Sequence, residues 1–219
     1  MSQKTQTVTV KIVSDIIWPW CYVAQKNLYL ATSSLGLNVT IEWIPFFLNK
    51  NTPAEGVDLA EYIDSKYGKG VAASAASRLD LAGRQVGIKF NGARRVVNTT
   101  SSHRLMEYVN SKMGYESGDK IMQKLFHAYF EDAKDVSKHD VLLDCVDSLG
   151  IDKDEVRRFL QSKDLNKEID DIDQKNKSQR INGVPLFVFQ KKSGEIVGSL
   201  SGAQPPDVLK EILVEALDE

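Results

Sequence analysis

Residues 8–21 read VTVKIVSDIIWPWC, and the order of residue types in this stretch decides the fold. Val8, Val10 and Ile12 alternate with Thr9 and Lys11, the period of two expected of a half-buried strand. Ser14-Asp15 breaks the alternation, Ile16 and Ile17 follow, and then comes Trp18-Pro19-Trp20-Cys21. Proline is excluded from a helix interior but favoured at the first helical position. The spacing therefore predicts Trp18 at the N-cap, Pro19 at N1 and Cys21 at N3 of a helix that runs to about Leu35 and stops at Gly36. Val39, Ile41 and Trp43 alternate again up to Pro45. A helical crossover between two neighbouring strands makes them parallel.

Beyond this opening the strand signal disappears. Val71, Ala75, Leu79, Ala82 and Val86 fall near helical spacing, as do Leu105, Val109 and Met113. Ile121, Leu125, Ala128 and Tyr129 form a third apolar face, and Val141, Leu142, Cys145, Val146 and Leu149 a fourth, with glycines punctuating the runs. An exposed helix is expected from about Leu165 to Gln179, with Ile169 and Ile172 on one side. The strand pattern then returns. Leu186 to Phe189 is a short apolar run after Val184-Pro185, Lys192-Ser193-Gly194 is a hairpin turn, and Glu195 to Leu200 is a strand. Pro205-Pro206-Asp207 opens a last helix with Val208, Ile212, Leu213 and Leu217 on its face. A sheet split between the two ends of the chain implies one α/β domain carrying an all-α insertion.

The chain has 219 residues, 42 % hydrophobic and 26 % charged, which is ordinary globular composition and excludes a disordered or fibrous chain. The net charge of −2 gives no global reason to expect a nucleic-acid partner or an anionic membrane. Two cysteines, Cys21 and Cys145, are too few for a disulfide scaffold or a Cys-rich metal site. Residues 1–9 are polar, residues 8–17 are too short and polar for a signal core, and no run of about 18 apolar residues exists. The expectation is a cytoplasmic protein with no membrane span. His127 and His139 lack ligand spacing, so no metal site is expected.

Trp18-Pro19-Trp20-Cys21 after a first strand, and Gly183-Val184-Pro185 before a later one, form the two halves of one signature. Between and after them come Arg95-Val96-Val97-Asn98-Thr99 with His103-Arg104-Leu105, then Ala128-Tyr129-Phe130-Glu131, then Ser201-Gly202-Ala203-Gln204-Pro205. In this order the chain resembles the DsbA-like thioredoxin-fold family. It looks closest to the FrnE-like branch, related to 2-hydroxychromene-2-carboxylate isomerases and kappa-class glutathione transferases. The resemblance implies a thioredoxin-like fold (βαβ … ββα) in two parts, residues 1–48 and 166–219, with a helical insertion over 49–165. It implies a cis Val184–Pro185 bond, and it places Asn98 and His103 at the mouth of the site. The FrnE-like pattern reads Cys-Pro-Trp-Cys, so the position of the attacking thiol holds Trp18 here, and only Cys21 keeps its sulfur.

An indole donates one hydrogen bond but cannot attack or carry a negative charge at neutral pH. A two-cysteine shuttle at this site is therefore impossible, and three readings stay open. Cys21 could act alone as the catalytic thiol of a thiol- or glutathione-dependent oxidoreductase, through a mixed disulfide. At N3, though, its sulfur would point toward the sheet, where burial raises the pKa. The chain could instead use the thiol of bound glutathione, as an isomerase or transferase does. Or it could be a non-catalytic binder of a peptide or small ligand. In all three, Trp18, Pro19, Trp20, Val184, Pro185, Asn98 and His103 are the substrate-binding candidates. The Val184 backbone can pair with an extended ligand, and Trp18 and Trp20 either wall a pocket for a small aromatic substrate or plug the site. Asn98 is read as a helix cap or a ligand contact, and His103 as an acid–base group or a packing residue. From Leu81 to Met106 no acid occurs while Arg84, Lys89, Arg94, Arg95 and Arg104 do, so this stretch is either a solvated basic loop or a receptor for the carboxylates of glutathione. Glutathione is the expected cosubstrate, with no tightly bound cofactor and a possible homodimer.

Overall fold

The computed structural model describes residues 8–217; the polar opening read as carrying no secretory signal lies mostly outside them. Strand β1 (Val8–Ser14) leads into helix α1 (Pro19–Leu35) and strand β2 (Val39–Pro45). Seven helices follow: α2 (Leu59–Tyr67), α3 (Val71–Gln85), α4 (Thr100–Met113), α5 (Tyr115–Phe130), α6 (His139–Val146), α7 (Lys153–Gln161) and α8 (Asn166–Ser178). The chain closes with β3 (Leu186–Gln190), β4 (Ile196–Ser201) and α9 (Pro206–Glu215). The four strands lie in the order β2-β1-β3-β4. β1 pairs parallel with β2, and β3 runs antiparallel to both β1 and β4. This is a thioredoxin-like βαβ … ββα sheet with a large all-α insertion. No described helix is long and apolar enough to cross a membrane.

Helix α1 begins and ends where its residues require. Trp18 caps it with extended backbone, Pro19 takes the first position, and Gly36 ends it at φ 64, the left-handed conformation that glycine adopts without a Cβ penalty. The helix is central, burying Cys21, Tyr22, Val23, Ala24, Leu28 and Ala31. Helices α4 and α5 pack so closely that a Cβ on Gly118 would lie 1.8 Å from Asn110 Oδ1.

Two helices carry no apolar-face signal that the sequence reading used. α2 buries none of its residues and is held by its Asp58 cap, whose carboxylate accepts from the Ala60 and Glu61 amides. α7 is short and buries only Val156, Phe159 and Leu160. The helix expected to be exposed, α8, is not simply so. Besides Ile169 it buries Asp173 and Asn176, which serve the backbone that leaves β2. Asp173 accepts from the Phe47 amide (2.9 Å) and Asn176 donates to the Pro45 carbonyl (3.1 Å). The strand-free block contains one isolated antiparallel bridge, Val57 with Val96.

Arg104 shows what the basic stretch does in the fold. It is buried on α4 and donates to the carbonyls of Asp164 (2.7 Å), Phe159 (3.0 Å) and Ser162 (2.9 Å), at and just beyond the C-terminal end of α7. Charge-assisted bonds contribute more than neutral ones, and unmaking them leaves the Asp164 and Ser162 carbonyls without a protein donor, while Phe159 still accepts from the Ser162 amide and hydroxyl. Arg104→Met is expected to lower stability in urea unfolding by about 3 kcal/mol. Arg104→Lys should restore less than half, because an ammonium cannot span three carbonyls at once. A loss under about 0.5 kcal/mol, the level of an ordinary surface change, would refute this role.

Candidate functional site

The site is built where β1 hands over to α1. The Trp18 amide donates to the Asp15 carbonyl (3.0 Å), closing the turn, and the Cys21 amide donates to the Trp18 carbonyl (2.9 Å). Trp18 supplies no capping hydrogen bond, Pro19 has no N–H, and the first turn holds no acid. No side chain of the first turn answers the positive end of the α1 dipole, and the nearest acid is Asp15, three residues before the cap. Trp18, Pro19 and Trp20 are all half-buried, and both indoles pack on the core.

Strand pairing brings the second half of the signature to the same place. The antiparallel register ends with Val13 against Leu186, so Val184-Pro185 enters β3 at the end of the sheet where β1 hands over to α1. The Val184–Pro185 peptide bond is cis. Among the described residues neither the N–H nor the C=O of Val184 has a hydrogen-bond partner, while the Pro185 carbonyl accepts from Gly202 (2.8 Å). The loop thus offers a free backbone donor and acceptor beside the helix start, the groups an extended ligand needs.

Cys21 is 0 % exposed. Burial pushes its thiol up to about 12, more than the Ser14 hydroxyl and the Asp15 backbone facing the sulfur can offset. Cys145 is likewise buried and free, its thiol raised to about 11 by desolvation. Neither sulfur is a thiolate at neutral pH.

The other two candidates take different places. Asn98 is half-buried just before α4, with both ends of its amide in use: Oδ1 accepts from the Thr100 amide (2.9 Å) and Nδ2 donates to the Lys50 carbonyl (2.8 Å). Asn98 thus stands one residue before the Thr99 N-cap and ties the entry of α4 to the loop after β2. His103 does not lie at the mouth. It is 3 % exposed, packed edge-on against Phe47, with Nε2 3.6 Å from Asp15 Oδ1 and no hydrogen bond. It sits beneath the site because α4 buries its first turn against the loop after β2. The basic stretch also disperses. Arg84 pairs with Asp80, Arg95 donates to the Glu55 and Gly56 carbonyls (3.2 Å each), and Arg104 holds the end of α7.

Asp15 is the residue that sequence reasoning passed over, taking it only as a break in the strand pattern. It is buried, and its Oδ2 accepts from the Leu48 amide (2.8 Å). A charged residue between Val13 and Ile16 in an otherwise apolar run was the available signal.

A strand-to-helix site with a cis-proline return beside it defines a thioredoxin-fold protein. The chain belongs to the DSBA-like thioredoxin domain family, which matches residues 9–214. Its structure is similar to that of a "probable DsbA oxidoreductase" from Streptomyces coelicolor (TM-score 0.81, 22 % identity, 95 % of this chain and 89 % of that one). It is also similar to a cytosolic disulfide reductase, DsbM, from Pseudomonas aeruginosa (0.67, 17 %, 95 % and 98 %), a protein whose structure is also known with GSH. A third likeness is to 2-hydroxychromene-2-carboxylate isomerase (0.64, 16 %, 94 % and 95 %). At these identities the three likenesses describe the fold.

The state of Cys21 can be measured directly. With a thiol pKa of about 12, about one sulfur in 10,000 is ionised at pH 8. Iodoacetamide should label native Cys21 no faster than Cys145, and more than about 100-fold slower than in urea-unfolded protein. Labelling of native Cys21 at the rate of an exposed thiol would show that the sulfur is accessible.

Proposed function

We propose that this protein binds a thiol-bearing ligand of the glutathione class at the junction of Trp18, Pro19 and Trp20 with Val184 and Pro185, and that its chemistry uses the ligand's own sulfur. The observation that carries this reading is the complete burial of Cys21, which removes the remaining protein thiol from reach of any substrate. In this reading Trp18 stands where FrnE-like relatives carry the attacking cysteine. The ligand's cysteinyl backbone pairs with the free N–H and C=O of Val184. Its sulfur then lies at the open end of the α1 dipole, which favours the thiolate. Trp18 and Trp20 supply flat apolar walls for a small aromatic electrophile. Asn98 and His103 act from behind, holding the loops in place.

The reaction class this supports is addition of a bound thiolate to an electrophilic carbon, as in glutathione-dependent isomerases and transferases. The known glutathione-bound structure of a protein with this fold supports the choice of ligand. We place the protein in the cytoplasm, where glutathione is reduced and two free thiols persist. We further divide the chain into a thioredoxin-like part, residues 1–48 and 166–219, and an inserted helical part, residues 49–165.

Glutathione titrated against the protein, followed by Trp18 and Trp20 fluorescence, tests the reading. Binding should be saturable, unchanged within about twofold in Cys21→Ser, and weakened about tenfold in Trp18→Ala. A mixed disulfide of glutathione on Cys21, found by mass spectrometry and lost with activity in Cys21→Ser, would overturn it in favour of monothiol chemistry. Absence of saturable binding would leave a binder of some other ligand.

A further inference from the structure

Of the five arginines and lysines in the acid-free stretch, Arg94 is unlike its neighbours. It is 6 % exposed, and no carboxylate among the described residues pairs with it. Its Nη1 donates to the Asn91 carbonyl at 2.7 Å, the Tyr129 phenol makes a second contact with the group, and no further acceptor among the described residues meets the five N–H donors. Glu131, one residue beyond Phe130, turns its carboxylate to the Tyr22 hydroxyl (2.7 Å) and the Lys89 amide (3.3 Å) instead. A guanidinium taken this far from water without a counter-charge carries a desolvation cost that an anion would offset.

Its place relative to the site follows from the aromatic cluster. Arg94 lies over the rings of Phe130 (5.3 Å) and Phe90 (5.7 Å), which also hold Tyr22, stacked at 5.8 Å on Phe130 and edge-on at 6.4 Å to Phe90. Tyr22 is four residues after Trp18 and so stands one helical turn below it on the same side of α1. The guanidinium thus sits on the ring cluster that packs along the side of α1 carrying Trp18.

We infer that Arg94 is the receptor for a ligand carboxylate, so that the site selects small acidic molecules bearing both a thiol and a free carboxylate at its far end. The planar fork accepts a carboxylate through two parallel hydrogen bonds, and its fixed seat on two rings sets the distance at which that carboxylate must lie from the sulfur. This rests on the reading that the start of α1 binds a glutathione-class ligand.

The test compares glutathione with its diethyl ester, whose carboxylates are blocked, on the wild-type chain and on Arg94→Met. Glutarate, a thiol-free dicarboxylate, is followed in parallel on the Arg94 Nε–H signal by NMR. Wild type should bind glutathione about tenfold or more tightly than the ester. Arg94→Met should bind both alike at the ester's affinity, and glutarate should shift the Nε–H signal saturably. Equal binding of glutathione and ester by wild type, with an Nε–H signal that glutarate does not move, overturns the assignment while leaving the docking reading intact. A saturable glutarate shift in a chain that binds neither glutathione nor its ester sinks the docking reading and keeps the Arg94 receptor. If Arg94→Met does not fold, the Nε–H signal of the wild type decides: no shift with either glutathione or glutarate refutes it.

Discussion

The rest of this structure depends on a carboxylate that water does not reach. Asp15 stands at the end of the central strand, where the chain must turn into α1, and it gathers three segments far apart in sequence. Its carbonyl accepts from Trp18 and so shapes the turn, its Oδ2 accepts from Leu48 and so anchors the chain after β2, and its Oδ1 faces His103 on α4. The Ser14 carbonyl next to it accepts from Phe46 (3.0 Å), which fixes the same loop a second time. Burying such a group is costly unless its oxygens are met, so the surrounding backbone is held in the positions that meet them. The entry to α1, the exit from β2 and the first turn of α4 are for this reason one unit.

The helical insertion is joined to that unit through rings with polar tips. Tyr22 and Trp43 pack against Phe126, and Tyr22 against Phe90 and Phe130, while their polar atoms reach the surface of α5 and its end. The Tyr22 hydroxyl donates to Glu131, and Trp43 Nε1 and the Tyr29 hydroxyl both donate to Asp119 (2.8 and 2.6 Å). Burial raises the Asp119 pKa, and the bonds from Tyr29 and Trp43 oppose it. Large aromatic area gives the driving force and the tip bonds give the orientation. One core runs through sheet and insertion alike, from Val10 and Ile12 through Tyr22 to Phe126 and Leu142.

This arrangement separates two capacities that a thioredoxin-fold site usually combines. A nucleophile needs a sulfur exposed at the helix start, and here the sulfur is one turn in, against the sheet, where it behaves as a small apolar side chain. Docking, in the function proposed above, needs only the free backbone of Val184 and the start of α1, which do not involve that sulfur.

The amino-acid order by itself determined the elements at both ends of the chain. Alternation marked β1 and β2, Pro19 and Gly36 marked the bounds of α1, and Val184-Pro185 before an apolar run marked β3. Each of these signals is local, a matter of period, ring closure or a missing Cβ. What only the tertiary structure decided is where side chains of one chemical type end up. Arg84, Arg94, Arg95 and Arg104 look alike in sequence, yet Arg84 pairs with an acid, Arg95 and Arg104 each hold more than one carbonyl, and Arg94 is buried on two rings with one. Asp173 and Asn176 sit in a polar helix and are buried by backbone partners more than 120 residues earlier in the chain. His103 is drawn inside by Asp15 and Phe47, and α2, which buries nothing, left no apolar stripe to find. A polar side chain's partner is chosen by distances that only folding creates, so its role could not be read until the elements were in place.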